Sequence, residues 1–137
     1  MVQLVCGRSG TGKTRRMIEM ANSAIDSING KMVFLEANNK HIFDLDYRIR
    51  YINTKEFGLT NEDQFQGFVC GVIATDYDIE KVYIDGLYKI SKSGEEKLES
   101  VIKRLDYLSK TFDVNFIISV NHDVEDIPEG LRDRAIS

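Results

Sequence analysis

The clearest chemistry in the chain lies in the run GRSGTGKT, from Gly7 to Thr14. Its fixed positions Gly7, Gly12, Lys13 and Thr14 match the spacing G-x-x-x-x-G-K-[ST]. Glycines allow a loop to curl so that successive backbone N–H groups face one anion. The N-terminus of a helix that follows such a loop adds partial positive charge. We therefore predict that this loop binds phosphate groups.

Two side chains of the loop have separate expected roles. Lys13 would bridge the β- and γ-phosphates of a nucleotide, and Thr14 would offer its hydroxyl oxygen to Mg²⁺. The residues expected to contact the nucleotide are Gly7, Arg8, Ser9, Gly10, Thr11, Gly12, Lys13, Thr14 and Arg15.

Apolar periodicity predicts the elements that position this loop. A strand at 2–6 precedes it, and an amphipathic helix at 13–28 follows it. The segment 46–53 alternates, which is compatible with a short extra strand, and residues 131–136 of the acidic tail either add an edge strand or stay loose. Further strands are predicted at 31–36, 81–85 and 114–120, and further helices at 61–74 and 95–110.

The alternating order of these elements predicts the fold class. It is typical of an α/β protein, here a three-layer α/β/α sandwich with a mainly parallel sheet, formed by residues 1–137 as one domain. Ligands of such sheets bind at the carboxyl ends of the strands. The glycine-rich loop, Asp85 and Asn121 each follow the end of a predicted strand, so we expect them to lie near one another.

Two motifs together indicate a family. GRSGTGKT with KVYIDG resembles the Walker A and Walker B pair of P-loop NTPases, over nearly the whole chain. Three strand-containing segments follow the loop in the order KMVFLEANN, KVYIDGLYKI and FIISVNH. This order resembles the order of the core strands in RecA-like ATPases. The resemblance implies ATP and Mg²⁺ as ligands, with Asp85 joining Thr14 at the metal and Lys13 acting on the phosphates. It also implies that Glu36 activates the attacking water and that Asn121 or His122 senses the γ-phosphate.

Differences from the motifs of related NTPases restrict the expected type of NTPase and its nucleotide. Gly86 follows Asp85, so the Asp-Glu pair of AAA-type ATPases is absent. The run Asn121-His122-Asp123-Val124 does not fit the guanine motif N-K-x-D, so ATP is expected rather than GTP. An arginine finger would come from Arg132 or Arg134 of the tail, from a protein partner, or from a second copy in a homo-oligomer.

Composition restricts the compartment and the partners. The net charge of −4 and the pI near 5.2 give no basic stripe, so a nucleic-acid partner is not expected. No apolar stretch approaches the ~18 residues of a membrane span, and the N-terminus does not resemble a signal peptide. These features predict a cytoplasmic protein. Cys6 and Cys70 lack metal-site spacing and are expected to be small buried apolar residues.

Three functions are compatible with these residues. The first is an ATPase with slow turnover, which a partner or oligomerisation would stimulate. The second is a nucleotide-dependent binding or regulatory module with little turnover. The third is a small-molecule kinase whose acceptor pocket is formed by the segment 38–59, which contains His41, Asp44, Asp46 and Arg48.

Overall fold

The structure, a computed structural model, describes residues 1–136, so Ser137 of the predicted domain and tail lies outside the described part. Strands and helices are interspersed along the chain. The strands are β1 (Val2–Cys6), β2 (Lys31–Glu36), β3 (Ile49–Asn53), β4 (Ile79–Asp85) and β5 (Asn115–Val120). The helices are α1 (Lys13–Ala24), α2 (Glu62–Ala74), α3 (Leu87–Ser91) and α4 (Leu98–Phe112).

All five strands pair in parallel, in the spatial order β1-β5-β4-β2-β3. One face of the sheet packs against α1, through a cluster that includes Met17, Phe34 and Tyr83. The other face packs against α2, α3 and α4, in a cluster that includes Phe65 and Leu105. The predicted α/β class, with helices on both faces of a parallel sheet, is confirmed.

The strand order determines which strand ends meet. Strand β5 lies between β1 and β4, and β2 pairs with β4 on the far side. The register of β2 and β4 places Glu36 directly opposite Asp85. Because the strands are parallel, the ends of β1, β5, β4 and β2 open on the same edge of the sheet. We call this the carboxyl edge.

The largest differences between the predicted and the observed elements concern the helices. Helix α1 ends at Ala24 rather than at residue 28, because the N–H of Ser27 bonds to the carbonyl of Ala24 and closes a tighter turn. Helix α4 begins at Leu98, after a 3₁₀ turn at Glu95–Lys97. Helix α3 was not predicted. The segment 46–53 does contain a strand, β3, at the edge of the sheet.

The tail packs against the sheet through a 3₁₀ helix at Glu129–Arg134 and a single bridge from Ala135 to Leu4. Both terminal nitrogens of Arg134 bond to the carboxylate of Asp106, at 2.7 and 2.6 Å, and one also contacts the Val2 carbonyl. Val2 begins β1, so Arg134 lies at the end of the strand opposite the carboxyl edge. The expectation that Arg134 supplies an arginine finger to its own chain is therefore wrong.

Within residues 1–136 there is no helix with both the length and the apolar character that crossing a membrane requires.

Candidate functional site

The glycine-rich loop joins β1 to α1, and two of its glycines are required by its shape. A Cβ atom on Gly7 would lie 2.6 Å from the hydroxyl oxygen of Thr11, which is a steric clash. Gly12 has φ 86° immediately before the first residue of α1, a left-handed conformation that side chains disfavour. The N–H of Gly7 donates to the carbonyl of His122 at 2.6 Å, which ties the start of the loop to the segment after β5.

The charged side chains of the loop lie in different surroundings. The ammonium group of Lys13 donates to the carbonyl of Arg8 at 2.9 Å. Partial burial lowers the pKa of Lys13, and the nearby positive charge of Lys89 acts in the same direction, whereas Asp85 opposes it. The guanidinium group of Arg8 instead pairs with Asp123 at 3.0 Å. Asp123 therefore engages Arg8, whereas the charge of Asp85 acts on Lys13.

Asp85, at the end of β4, is buried and held by two hydroxyl groups. Thr14 donates to one carboxylate oxygen and Ser119 to the other, each at 2.8 Å. The hydroxyl oxygen of Ser119 also accepts from the N–H of Gly86 at 2.7 Å. The oxygens of Thr14 and Asp85 form a hard donor pair of the kind Mg²⁺ uses together with phosphate oxygens. The residues present therefore fit the metal that the sequence implied.

Glu36, at the end of β2, is a buried carboxylate with donors from two other segments. The hydroxyl of Tyr51 donates to one oxygen at 2.5 Å, and Nδ1 of His41 lies 3.0 Å from both oxygens. Burial raises the pKa of Glu36, and its hydrogen bonds to Tyr51 and His41 partly oppose that rise. Burial likewise raises the pKa of the Tyr51 phenol. The side chain thus combines low solvent access with a fixed orientation.

A cavity of about 490 Å³ on the carboxyl edge brings most of the expected site residues together. Gly7, Arg8 and Thr11 lie in the loop but do not line this cavity. The expected residues that do line it are Ser9, Gly10, Gly12, Lys13, Thr14, Arg15, Glu36, Asp85 and Asn121.

Asn121 and His122, the two candidates for sensing the γ-phosphate, lie in different surroundings. Asn121 lines the cavity. The imidazole of His122 lies 2.9 Å from the hydroxyl of Tyr88 and 3.5 Å from the carboxylate of Glu95. His122 thus connects the loop, through its carbonyl, to α3 and the turn before α4. Of the two, only Asn121 remains a candidate for contact with phosphate.

Several cavity residues were missed by sequence reasoning. Ser119 was hidden in the apolar run VNFIISV, where a single hydroxyl was the available signal. Lys89 and Tyr88 lie on α3, which was not predicted. Lys40 follows Asn39 in an irregular segment that has no recognisable motif.

The predicted kinase pocket is only partly assembled. His41 lines the cavity, but Arg48 bonds to Asp46 and Asp26 at the surface. These contacts lower the pKa of Asp46 to about 2, chiefly through the hydrogen bond from Arg48. The carbonyl of Asp44 accepts from Asn22 on α1. Asp44, Asp46 and Arg48 therefore serve mainly to hold this segment against α1 and the turn that follows it.

The raised pKa of Glu36 gives a prediction for stability. In the unfolded chain the carboxyl ionises near its ordinary pKa of roughly 4.3, whereas in the folded chain it ionises at higher pH. Wild type should therefore lose stability relative to Glu36→Gln as the pH rises through this interval. Thermal midpoints measured from pH 4 to pH 7 should show a growing advantage of the variant. A difference that does not change with pH would contradict the burial of an ionisable group at this position.

Comparison with known proteins identifies the class of fold. No protein-family model matches the chain, and no curated protein sequence does so either. Among solved structures, a KaiC-like protein from the hyperthermophilic archaeon Pyrococcus horikoshii matches with a TM-score of 0.68 and 18% sequence identity. The match covers 96% of this chain and 67% of that protein. The chain therefore shares the fold of that KaiC-like protein, a parallel sheet with helices on both faces, and at this identity the likeness concerns the fold alone.

Proposed function

We propose that the protein binds Mg-ATP in the cavity at the carboxyl edge and hydrolyses it slowly. The observation that carries this proposal is the convergence of Lys13, Thr14, Asp85 and Glu36 on one cavity of about 490 Å³. These residues come from α1, β4 and β2, so only the folded sheet assembles them. The volume lies within the range of small-molecule sites, about 300–1,000 Å³.

Each residue has a stated role in this proposal. The N–H groups of the loop and the ammonium of Lys13 bind the phosphates, and the oxygens of Thr14 and Asp85 hold Mg²⁺. When bound, Mg²⁺ neutralises charge on the phosphate oxygens. Glu36 accepts a proton from the attacking water, and its raised pKa brings it nearer to neutral pH, where a general base is most effective. Asn121 would donate its amide to the terminal phosphate.

The rate should be low in the isolated chain. Among the described residues, Arg15 is the only arginine that lines the cavity, and it lies on α1 directly after the loop motif. P-loop proteins without an external arginine turn over at about 10⁻⁴ to 10⁻² s⁻¹. We propose that a protein partner or a second copy of the chain supplies the missing arginine. Partner-dependent stimulation of phosphate release is the corresponding observable.

A nucleotide panel tests the proposal. ATP, ADP and GTP are added with and without Mg²⁺, and both the thermal midpoint and the phosphate released are measured. We expect ATP with Mg²⁺ to give the largest rise in midpoint, a smaller effect of GTP, and slow release of phosphate from ATP. A midpoint that no nucleotide changes would contradict nucleotide binding at this site.

A nucleotide-dependent binding module is the second candidate function. The observation that favours it is the Glu36 carboxylate, which is engaged by Tyr51 and His41 rather than open to solvent. In that case ATP would raise the thermal midpoint without any phosphate release. A kinase is the third candidate, supported by Asn38, Lys40 and His41 of the segment 38–59, which line the cavity. Transfer of labelled γ-phosphate to a metabolite, rather than to water, would distinguish it.

A further inference from the structure

Glu36 is held by two segments that the nucleotide-binding loop does not include. Tyr51 lies on β3, the strand at the edge of the sheet, and His41 lies in the connection between β2 and β3. Tyr51 is itself fixed, because its ring stacks on Phe34 with 6.2 Å between centroids. Its hydroxyl also lies 2.8 Å from the carbonyl of Asn38, next to the start of the same connection.

The placement of its two donors restricts the orientation of the Glu36 carboxylate. An ionised carboxylate offers about four acceptor positions. The hydroxyl of Tyr51 occupies one on Oε1, and Nδ1 of His41 lies at equal distances of 3.0 Å from Oε1 and Oε2. Both donors approach from β3 and its connection. Glu36 lines the cavity, and the register of β2 and β4 places it opposite Asp85.

We propose that Tyr51 and His41 are positioning residues that fix the Glu36 carboxylate in the cavity wall for attack by water. Strand β3 and the connection before it thereby contribute residues that position the base for hydrolysis. This inference rests on the proposed function, because it assigns Glu36 the role of base. It also gives the segment 38–59 a role other than that of a kinase acceptor pocket.

Fixing the Glu36 carboxylate matters because the rate of a reaction depends strongly on where its catalytic groups are placed. A base that is displaced by about 1 Å can lose on the order of 100-fold in rate, although it remains in the site. Tyr51→Phe removes one hydroxyl and keeps the ring that packs on Phe34. We expect this variant to lower kcat by about 10- to 100-fold with little change in KM for Mg-ATP.

His41 is tested with a pair of variants. His41→Ala removes the donor and should lower kcat over the same range. His41→Asn restores an amide nitrogen near the position of Nδ1 and should recover part of the lost rate. Tyr47→Phe is the matched control, because Tyr47 lies in the same connection and its side chain is 93% exposed. It should behave as wild type in every assay.

Steady-state phosphate release and the Mg-ATP thermal shift are measured for these variants beside Glu36→Gln. Support is a loss of kcat in Tyr51→Phe and His41→Ala with an unchanged Mg-ATP thermal shift. If Glu36→Gln stops release while Tyr51→Phe and His41→Ala match wild type, the positioning role is overturned and the proposed function stands. A rise in KM with unchanged kcat also overturns it. If Glu36→Gln matches wild type, or wild type releases no phosphate, the proposed hydrolytic role fails and the inference fails with it.

Discussion

Replacing Lys13 by alanine should remove detectable Mg-ATP binding while the fold persists. Among residues 1–136, the ammonium group makes one hydrogen bond, to the Arg8 carbonyl at the surface of the loop, so its loss removes little packing. The contact that is lost joins the positive ammonium group of Lys13 to the negative phosphates of ATP. Truncating one partner of a desolvated charge pair costs about 2–5 kcal/mol, which corresponds to roughly 30-fold to several thousand-fold in affinity.

The measurement is the rise in thermal midpoint on adding Mg-ATP, supported by titration calorimetry. Lys103→Ala is the matched control, because Lys103 is an exposed lysine on α4, away from the loop. It should bind as wild type does. Equal stabilisation of wild type and Lys13→Ala by Mg-ATP would show that the loop is not the phosphate site.

Glu36→Gln should lower phosphate release by about 10²- to 10⁴-fold, the usual contribution of a general base. Glutamine has nearly the same shape and can still accept a hydrogen bond from Tyr51, so nucleotide binding should persist. Because a buried carboxylate is replaced by a neutral amide, the variant should also fold stably at neutral pH.

Single-turnover phosphate release separates this effect from binding. Glu99→Gln, an exposed glutamate in the first turn of α4, provides the matched control and should leave the rate unchanged. An unaltered rate in Glu36→Gln would remove Glu36 from the mechanism and favour the binding module.

The sheet and its loop were predictable because their signals are local. The apolar runs at β1, β2 and β5 and the fixed glycines occupy short windows of sequence, and each can be interpreted without knowing its neighbours. The parallel arrangement then brings strand ends together by geometry alone. The strand ends predicted that Asp85 and Asn121 lie near the loop, and both line the cavity, whereas Glu36 was expected from the resemblance to RecA-like ATPases.

The residues that the sequence did not reveal depend on pairing between distant segments. Ser119 reaches Asp85 because β5 lies next to β4, and Tyr51 reaches Glu36 because β3 pairs in register with β2. Neither contact has a spacing in the sequence that marks it. Arg134 is a residue for which the sequence allowed a role in the site that its tertiary contact does not support. Its guanidinium group is bound by Asp106 instead.

The helix that was missed has a similar explanation. Asp85-Gly86 is a common turn pair, and α3 has only five residues, too few for a clear periodic pattern. Its residues Leu87 and Ile90 are buried against the sheet, so tertiary packing rather than local propensity stabilises it. Lys89 and Tyr88 reach the cavity through this helix.

Mapping the backbone amide shifts of the labelled protein during a titration with Mg-ATP tests the central claim most directly. The largest changes should fall on Gly10, Gly12 and Thr14, followed by the residues around Asp85. A separate, mostly apolar groove of about 720 Å³ between α2 and the edge of the sheet, lined by Phe57 and Phe68 among others, should show little change. Shifts confined to that groove, or an absence of shifts in the loop at saturating Mg-ATP, would contradict a nucleotide site at the carboxyl edge.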